Sequence, residues 1–255
     1  MWIDSHAHFC DKRYLEDFAT YVKRMEQASV KRVLIITLSL EEYETAIALQ
    51  QQYPFLDIAY GIHPEAVNEI NQSDWDIMLD ILKQGKIIAI GEIGLDYYWV
   101  KDNKELQKEV FQRQLELSKE FNLPVLIHMR DASQDTYQIL KVANLKAGGI
   151  MHCYGGSLEM AYQFIDLGFY ISTAGVVTFK NAKTIKEVIR NIPLDKILIE
   201  TDSPFLTPEP FRGKQNEPSY VAYVGEAVAA LKELPISEVS SQLFENYQRL
   251  FKLKI

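Results

Sequence analysis

Only two of the 255 residues are cysteine, Cys10 and Cys153. Two thiols so far apart cannot build a disulfide framework, so reduced thiols and a cytoplasmic setting are expected. Each follows closely on a histidine, which sets a metal-ligand reading beside the plainer one of a small apolar core residue. Long apolar runs are missing too. Stretches such as Ile87-Ile88-Ala89-Ile90 fall far short of a membrane span, and Met1-Trp2-Ile3-Asp4 lacks the basic and apolar regions of a signal peptide. No membrane partner is expected. Low-complexity tracts and charge blocks are also lacking, and 47% hydrophobic against 24% charged residues is the balance of a folded chain, which argues against disorder. Positive charge is in the minority: the formal net charge is −8, which speaks against a broad basic groove gripping long stretches of nucleic acid. A nuclease stays open, since bound divalent cations would bring positive charge to a docked phosphate.

What is present is an alternation. Eight β-rich runs recur: 1–5, 32–38, 56–61, 86–91, 124–127, 148–151, 168–172 and 196–201. Several are apolar nearly throughout, as in Val33-Leu34-Ile35-Ile36, which suits strands covered on both faces. Between them lie amphipathic segments of helical length, among them 14–28, 104–121 and 132–145, and a last helix pair spans about 219–252. Eight βα units predict an α/β fold, a single (β/α)₈ TIM barrel over residues 1–255. The rival, an open doubly wound sheet, lacks its phosphate-binding turn, because no strand runs into G-x-G-x-x-G or G-x-x-x-x-G-K. The proline-rich piece 204–218 follows the eighth run, where barrels place functional loops.

The five histidines, His6, His8, His63, His128 and His152, all fall at or just beyond the carboxyl end of an expected strand. That end is the catalytic rim of a barrel. One histidine there is most simply a hydrogen-bonded core residue; five together point to a site. His6 and His8 form H-x-H, and the strand period of two turns both imidazoles to one face. Glu92 ends the fourth run between two glycines, and Asp202 ends the eighth ahead of Pro204. Alone, each acid reads equally well as a helix cap or a loop acid. Imidazole nitrogen with carboxylate oxygen and no thiolate is a donor set for Zn²⁺, Mn²⁺ or Fe²⁺, or for Mg²⁺ with waters. His6, His8, Glu92, His128, His152 and Asp202 make six ligands, which suit two ions better than one. Glu200 shares the inward face with Asp202 and is expected to orient a ligand imidazole, as, less directly, is Asp96. Arg130 either contacts a substrate phosphate or forms an ion pair with Asp131 or a neighbour.

Seven motifs then stand in order: D-S-H-A-H at 4–8, G-I-H-P at 61–64, G-E-I-G-L-D-Y at 91–97, P-V-L-I-H-M-R-D-A at 124–132, M-H-C-Y-G-G at 151–156, E-T-D-S-P at 200–204 and R-G-K-Q-N-E-P at 212–218. In this the chain resembles, along its whole length, the TatD-type metal-dependent deoxyribonucleases of the amidohydrolase superfamily. The resemblance implies that His6, His8 and Asp202 hold one divalent ion (Zn, Mn or Mg), that His128 and His152 hold a second, and that Glu92 bridges them. It implies a metal-activated water cleaving phosphodiester bonds of DNA, in single-stranded or end regions and as an exonuclease, with Asp202 and Glu92 as catalytic residues and Asp202 accepting the water's proton. His63 matches a position that contacts phosphate or a further metal. Two departures stand out: Glu65 replaces a second histidine often found after G-x-H-P, and the motif after the sixth strand reads Cys153-Tyr154-Gly155-Gly156 where a phenylalanine and a hydroxyl residue are common.

Arg212 and Lys214 read either as phosphate contacts or as solvated charges. Tyr98, Trp99 and Tyr154 read either as stacking surfaces for a base or as core. The same metal site on another substrate would make a deaminase, lactonase or amidase, and a barrel that has lost catalysis would be a metal-bound binding protein. The silent barrel predicts a missing ligand, and all six are present.

Overall fold

Runs rich in Val, Ile and Leu become strands that are largely buried on both sides. They are β1 (Trp2–Ala7), β2 (Val30–Thr37), β3 (Leu56–Tyr60), β4 (Ala89–Asp96), β5 (Val125–Arg130), β6 (Gly149–Met151), β7 (Phe169–Thr173) and β8 (Ile197–Ile199). The structure is a computed structural model and describes residues 1–253, so the last two residues of the expected domain lie outside it. Each strand pairs in parallel with the next, in the order β1-β2-β3-β4-β5-β6-β7-β8.

The helices that return the chain are α1 (Lys12–Leu15), α2 (Phe18–Gln27), α3 (Leu40–Gln52), α4 (Gln72–Gln84), α5 (Lys104–Phe121), α6 (Ser133–Ala143), α7 (Leu158–Asp166), α8 (Lys183–Asn191), α9 (Val221–Lys232) and α10 (Ile236–Phe251). The described residues thus form the expected (β/α)₈ TIM barrel.

Closure between β8 and β1 is what builds the site. The chain beyond β8 continues beside β1: Asp202 N–H donates to His6 O at 2.9 Å, and His8 N–H donates to Ser203 O at 2.9 Å. Asp4, fully buried, ties the seam, accepting from the backbone N–H of Thr201 at 2.9 Å, from the Thr201 hydroxyl and from His6 N–H at 3.2 Å. The first motif and the sixth, nearly two hundred residues apart, are thereby zipped side by side.

Two expectations need correction. The fourth strand does not stop at Gly91; β4 runs on through Glu92 to Asp96, so Glu92 sits in mid-strand. Glycines read as a strand end are instead close-approach positions: a Cβ on Gly91 would strike the Leu126 side chain at 2.5 Å. The helix expected over 14–28 is two helices, because Asp17 leaves helical geometry (φ −135°, ψ 39°) and its carboxylate accepts from the Thr20 hydroxyl at 2.7 Å.

Candidate active site

Strand parity and the seam converge on one carboxylate. Glu92, 3% exposed, projects from the middle of β4. His128 Nδ1 on β5 lies 2.8 Å from it, His6 Nε2 on β1 3.3 Å, His152 Nε2 just past β6 3.4 Å, His63 Nε2 past β3 3.5 Å and His8 Nε2 past β1 3.8 Å. Every histidine of the chain therefore approaches the same side chain. Asp202, past β8, completes the ring: its Oδ1 is 3.7 Å from His8, 3.8 Å from His6 and 3.9 Å from His152.

Further acids decide which nitrogens face inward. Glu200 Oε1 lies 2.8 Å from His152 Nδ1, at ion-pair distance though without the alignment of a full hydrogen bond, and leaves Nε2 toward Glu92. Asp96 Oδ2 lies 2.9 Å from His128 Nε2 and leaves Nδ1 toward Glu92. Glu200 and Asp96 thus stand beside two of the expected ligand imidazoles.

Charge is distributed unevenly over the ring. Burial alone would raise Glu92, but the imidazoles of His152, His63 and His6 hold it well below the ordinary carboxylate range. Burial opposes charge on His152, and the carboxylates of Glu200 and Glu92 overcome it, raising the group to about 10. His128 is likewise raised against burial, to about 9, by its hydrogen bonds to Asp96 and Glu92. His8 is lowered to about 3, first by burial and then by His6. Burial lifts Asp202 to about 6 against the pull of His152 and His6.

The donor set fits a metal. His6 is fully buried and neither of its ring nitrogens has a hydrogen-bond partner among the described residues, a costly state for an imidazole unless a cation takes up a lone pair. Three groupings bring one donor atom from each residue within 4.8 Å of the others: His6, His152 and Asp202; His6, His8 and Glu92; His63, Glu92 and His128. His63 thus stands among the possible ligands as well as the possible phosphate contacts. Neither cysteine joins such a grouping among the described residues.

The ring opens into a cleft of about 900 Å³ whose walls include His63, Trp99, Arg130, Lys183 and Phe205. Arg130 does not pair with Asp131; its guanidinium lies over the rings of Tyr98 and Trp99, 4.5 and 5.5 Å from their centres. Arg212 and Lys214 are exposed outside the cleft wall, Arg212 packed on Phe179 at 4.2 Å and Lys214 near Phe211. Tyr154 is buried, its hydroxyl donating to Ser157 O, and so belongs to the core. Sequence reasoning missed Phe205 and Lys183. Phe205 had a signal, an aromatic directly after E-T-D-S-P; Lys183, at the start of α8, had none.

Comparison with known proteins accords with this geometry. A family model described as TatD related DNase matches residues 3–252. A Bacillus subtilis (strain 168) protein named uncharacterized metal-dependent hydrolase YabD is 45% identical over 254 residues, 99% of this chain and 100% of that one. The Escherichia coli (strain K12) uncharacterized metal-dependent hydrolase YcfH is 35% identical over 255 residues, 98% of this chain and 96% of its own. The crystal structure of YjjV, a TatD homologue from Escherichia coli K12, superposes with a TM-score of 0.93 at 30% identity, covering 99% of this chain and 98% of that one.

Proposed function

The chain belongs to the TatD related DNase family, and with its site in view we propose that it hydrolyses phosphodiester bonds of DNA, in single-stranded or end regions, as an exonuclease. Its relatives carry the coarser description, metal-dependent hydrolase. One observation carries the finer reading: five imidazoles and Asp202 surround Glu92 on the barrel's catalytic rim, at the base of a cleft whose rim bears Arg130 and Lys183. A polyanion suits such a rim despite the chain's overall negative charge.

In this reading His6, His8 and Asp202 would hold one divalent ion, Zn, Mn or Mg, and His128 and His152 a second, with Glu92 as a ligand they share. Ions bound there would polarise the phosphoryl oxygens and make a water more acidic than in bulk. Asp202 is open to the cleft, so its carboxylate is placed to take the proton of the attacking water. As the water oxygen bonds to phosphorus and the bond to the leaving oxygen breaks, the same carboxyl returns a proton to the leaving oxygen and is restored. Glu200 and Asp96 keep His152 and His128 turned toward Glu92 throughout. Arg130 offsets the charge of a neighbouring phosphate.

The test sets end-labelled single-stranded DNA beside a lactone and a nucleobase, with and without chelator. Stepwise DNA shortening that chelator stops, and that Asp202→Asn protein of unchanged melting temperature lacks, is the expected result. Turnover of the lactone or the nucleobase with DNA left intact would move the activity to another hydrolysis at the same site.

A further inference from the structure

Trp99 is 63% exposed, whereas Trp2 and Trp75 are buried. An indole so open to water on the wall of a cleft is not packed as core. The neighbouring Tyr98 is 45% exposed, its ring centre 4.8 Å from that of Trp99 and nearly perpendicular to it, at 85°. Arg130 covers both rings with its guanidinium and makes no ion pair among the described residues. One flat apolar face, that of Trp99, and one unneutralised planar cation, Arg130, thus stand on the wall that leads down to Glu92 and His128, with the Tyr98 ring packed against both.

The loop is held in place. Asp96 Oδ1 accepts the backbone N–H of Tyr98 at 2.9 Å and of Trp99 at 2.7 Å, while its Oδ2 meets His128 Nε2 at 2.9 Å. Across the strand pair Asp96 stands opposite Arg130, and Tyr97 N–H donates to Arg130 O at 2.9 Å. One buried carboxylate therefore sets both the position of the aromatic pair and the orientation of an imidazole at the reacting centre. A planar group resting on Trp99 would be registered against that centre through a short, rigid path.

We propose that Trp99 and Tyr98, backed by Arg130, form a platform that takes an unpaired nucleobase of the substrate strand beside the scissile phosphate, with Asp96 keeping the platform in register with His128. The proposal rests on the phosphodiester reading and adds the group that the site recognises. Stacking on an aromatic face is tolerant of base identity, and the guanidinium adds attraction both to the π-face and to an adjoining phosphate. A base paired in a duplex has no free face to offer, so the platform favours unpaired nucleotides.

The experiment compares hexathymidylate with a strand of the same length in which every residue lacks its base, using wild-type protein with its metal and the Trp99→Ala and Trp99→Phe variants. Two readouts are taken: steady-state hydrolysis of each strand, and tryptophan emission during titration in chelator, where the exposed indole dominates any change. Wild-type protein is expected to favour the base-bearing strand by about tenfold in kcat/KM, the order of one base–aromatic stack. Its emission should fall with hexathymidylate and not with the abasic strand. Trp99→Ala should lose the preference mainly through KM, and Trp99→Phe should keep most of it. Hydrolysis of both strands at equal efficiency overturns the platform and leaves the phosphodiester reading standing. Selective quenching with neither strand cleaved removes that reading and leaves the platform as a base-binding site.

Discussion

Glu200 and His152 form a contact that fixes an orientation. The carboxylate oxygen lies 2.8 Å from Nδ1 and turns Nε2 to within 3.4 Å of Glu92. Replacing Glu200 by Gln keeps the volume and weakens the constraint, so metal affinity is expected to fall about 10- to 100-fold, with little change in fold. Competition with a chromophoric chelator measures it; unchanged affinity would show that Glu200 does not orient the ligand.

Proton competition gives a pH dependence. His152 and His128 are raised to about 10 and 9 in the metal-free ring, so at neutral pH both carry protons that an incoming cation must displace. Metal affinity should therefore rise with pH between about 6.5 and 9, and metal addition in weak buffer should release protons. An indicator dye and a pH series of affinities check this. Affinity that is flat or falling over that window would show that these imidazoles are already neutral.

Gly94 has φ +142°, and a Cβ there would lie 2.0 Å from His128 O. Gly94→Ala must push β5 away from β4 beneath the His128 imidazole. A loss of roughly 3 kcal/mol or more in unfolding free energy is expected, from strain and lost strand pairing together. Metal retention should fall with it. Denaturant unfolding and metal analysis of the folded fraction are the measurements, and a variant as stable as wild type would refute the close approach.

Asp4 gives a prediction about closure. Its carboxylate accepts from Thr201 and His6 with no exposure to solvent, so Asp4→Ala would strand their buried N–H groups and loosen the seam between β1 and β8. A destabilisation of roughly 2–4 kcal/mol is expected. Thermal unfolding with and without metal separates this effect from a loss of ligation. An unperturbed midpoint would show that the seam is held elsewhere.

Much of this architecture could be read from the residues because repeated local signals agreed. The apolar runs gave eight strands in order, and the helix expected over 104–121 is α5 residue for residue. The H-x-H pair and E-T-D-S-P were legible as strand tips, but nothing local says that they lie side by side; that follows from closure of the barrel. Glu92 was found for its chemistry and misplaced along β4, since Gly91 serves close strand packing and not an ending. Tyr154 and Trp99 look alike as isolated aromatics, and only burial separates them, 3% against 63% exposed. Arg130 does not take Asp131, its neighbour in sequence, because the chain turns after Asp96 and sets two rings beneath it.

In the proposed reading, side chains from β1, β4, β5 and the segments after β3, β6 and β8 would cage divalent cations around Glu92. Anomalous diffraction at the zinc edge from a zinc-soaked crystal tests it most directly. Two peaks flanking Glu92, each about 2.0–2.2 Å from imidazole nitrogen or carboxylate oxygen of the ring, are the predicted result. A fully soaked crystal with no peak at the ring, and with its imidazoles directed away from Glu92, would contradict the account.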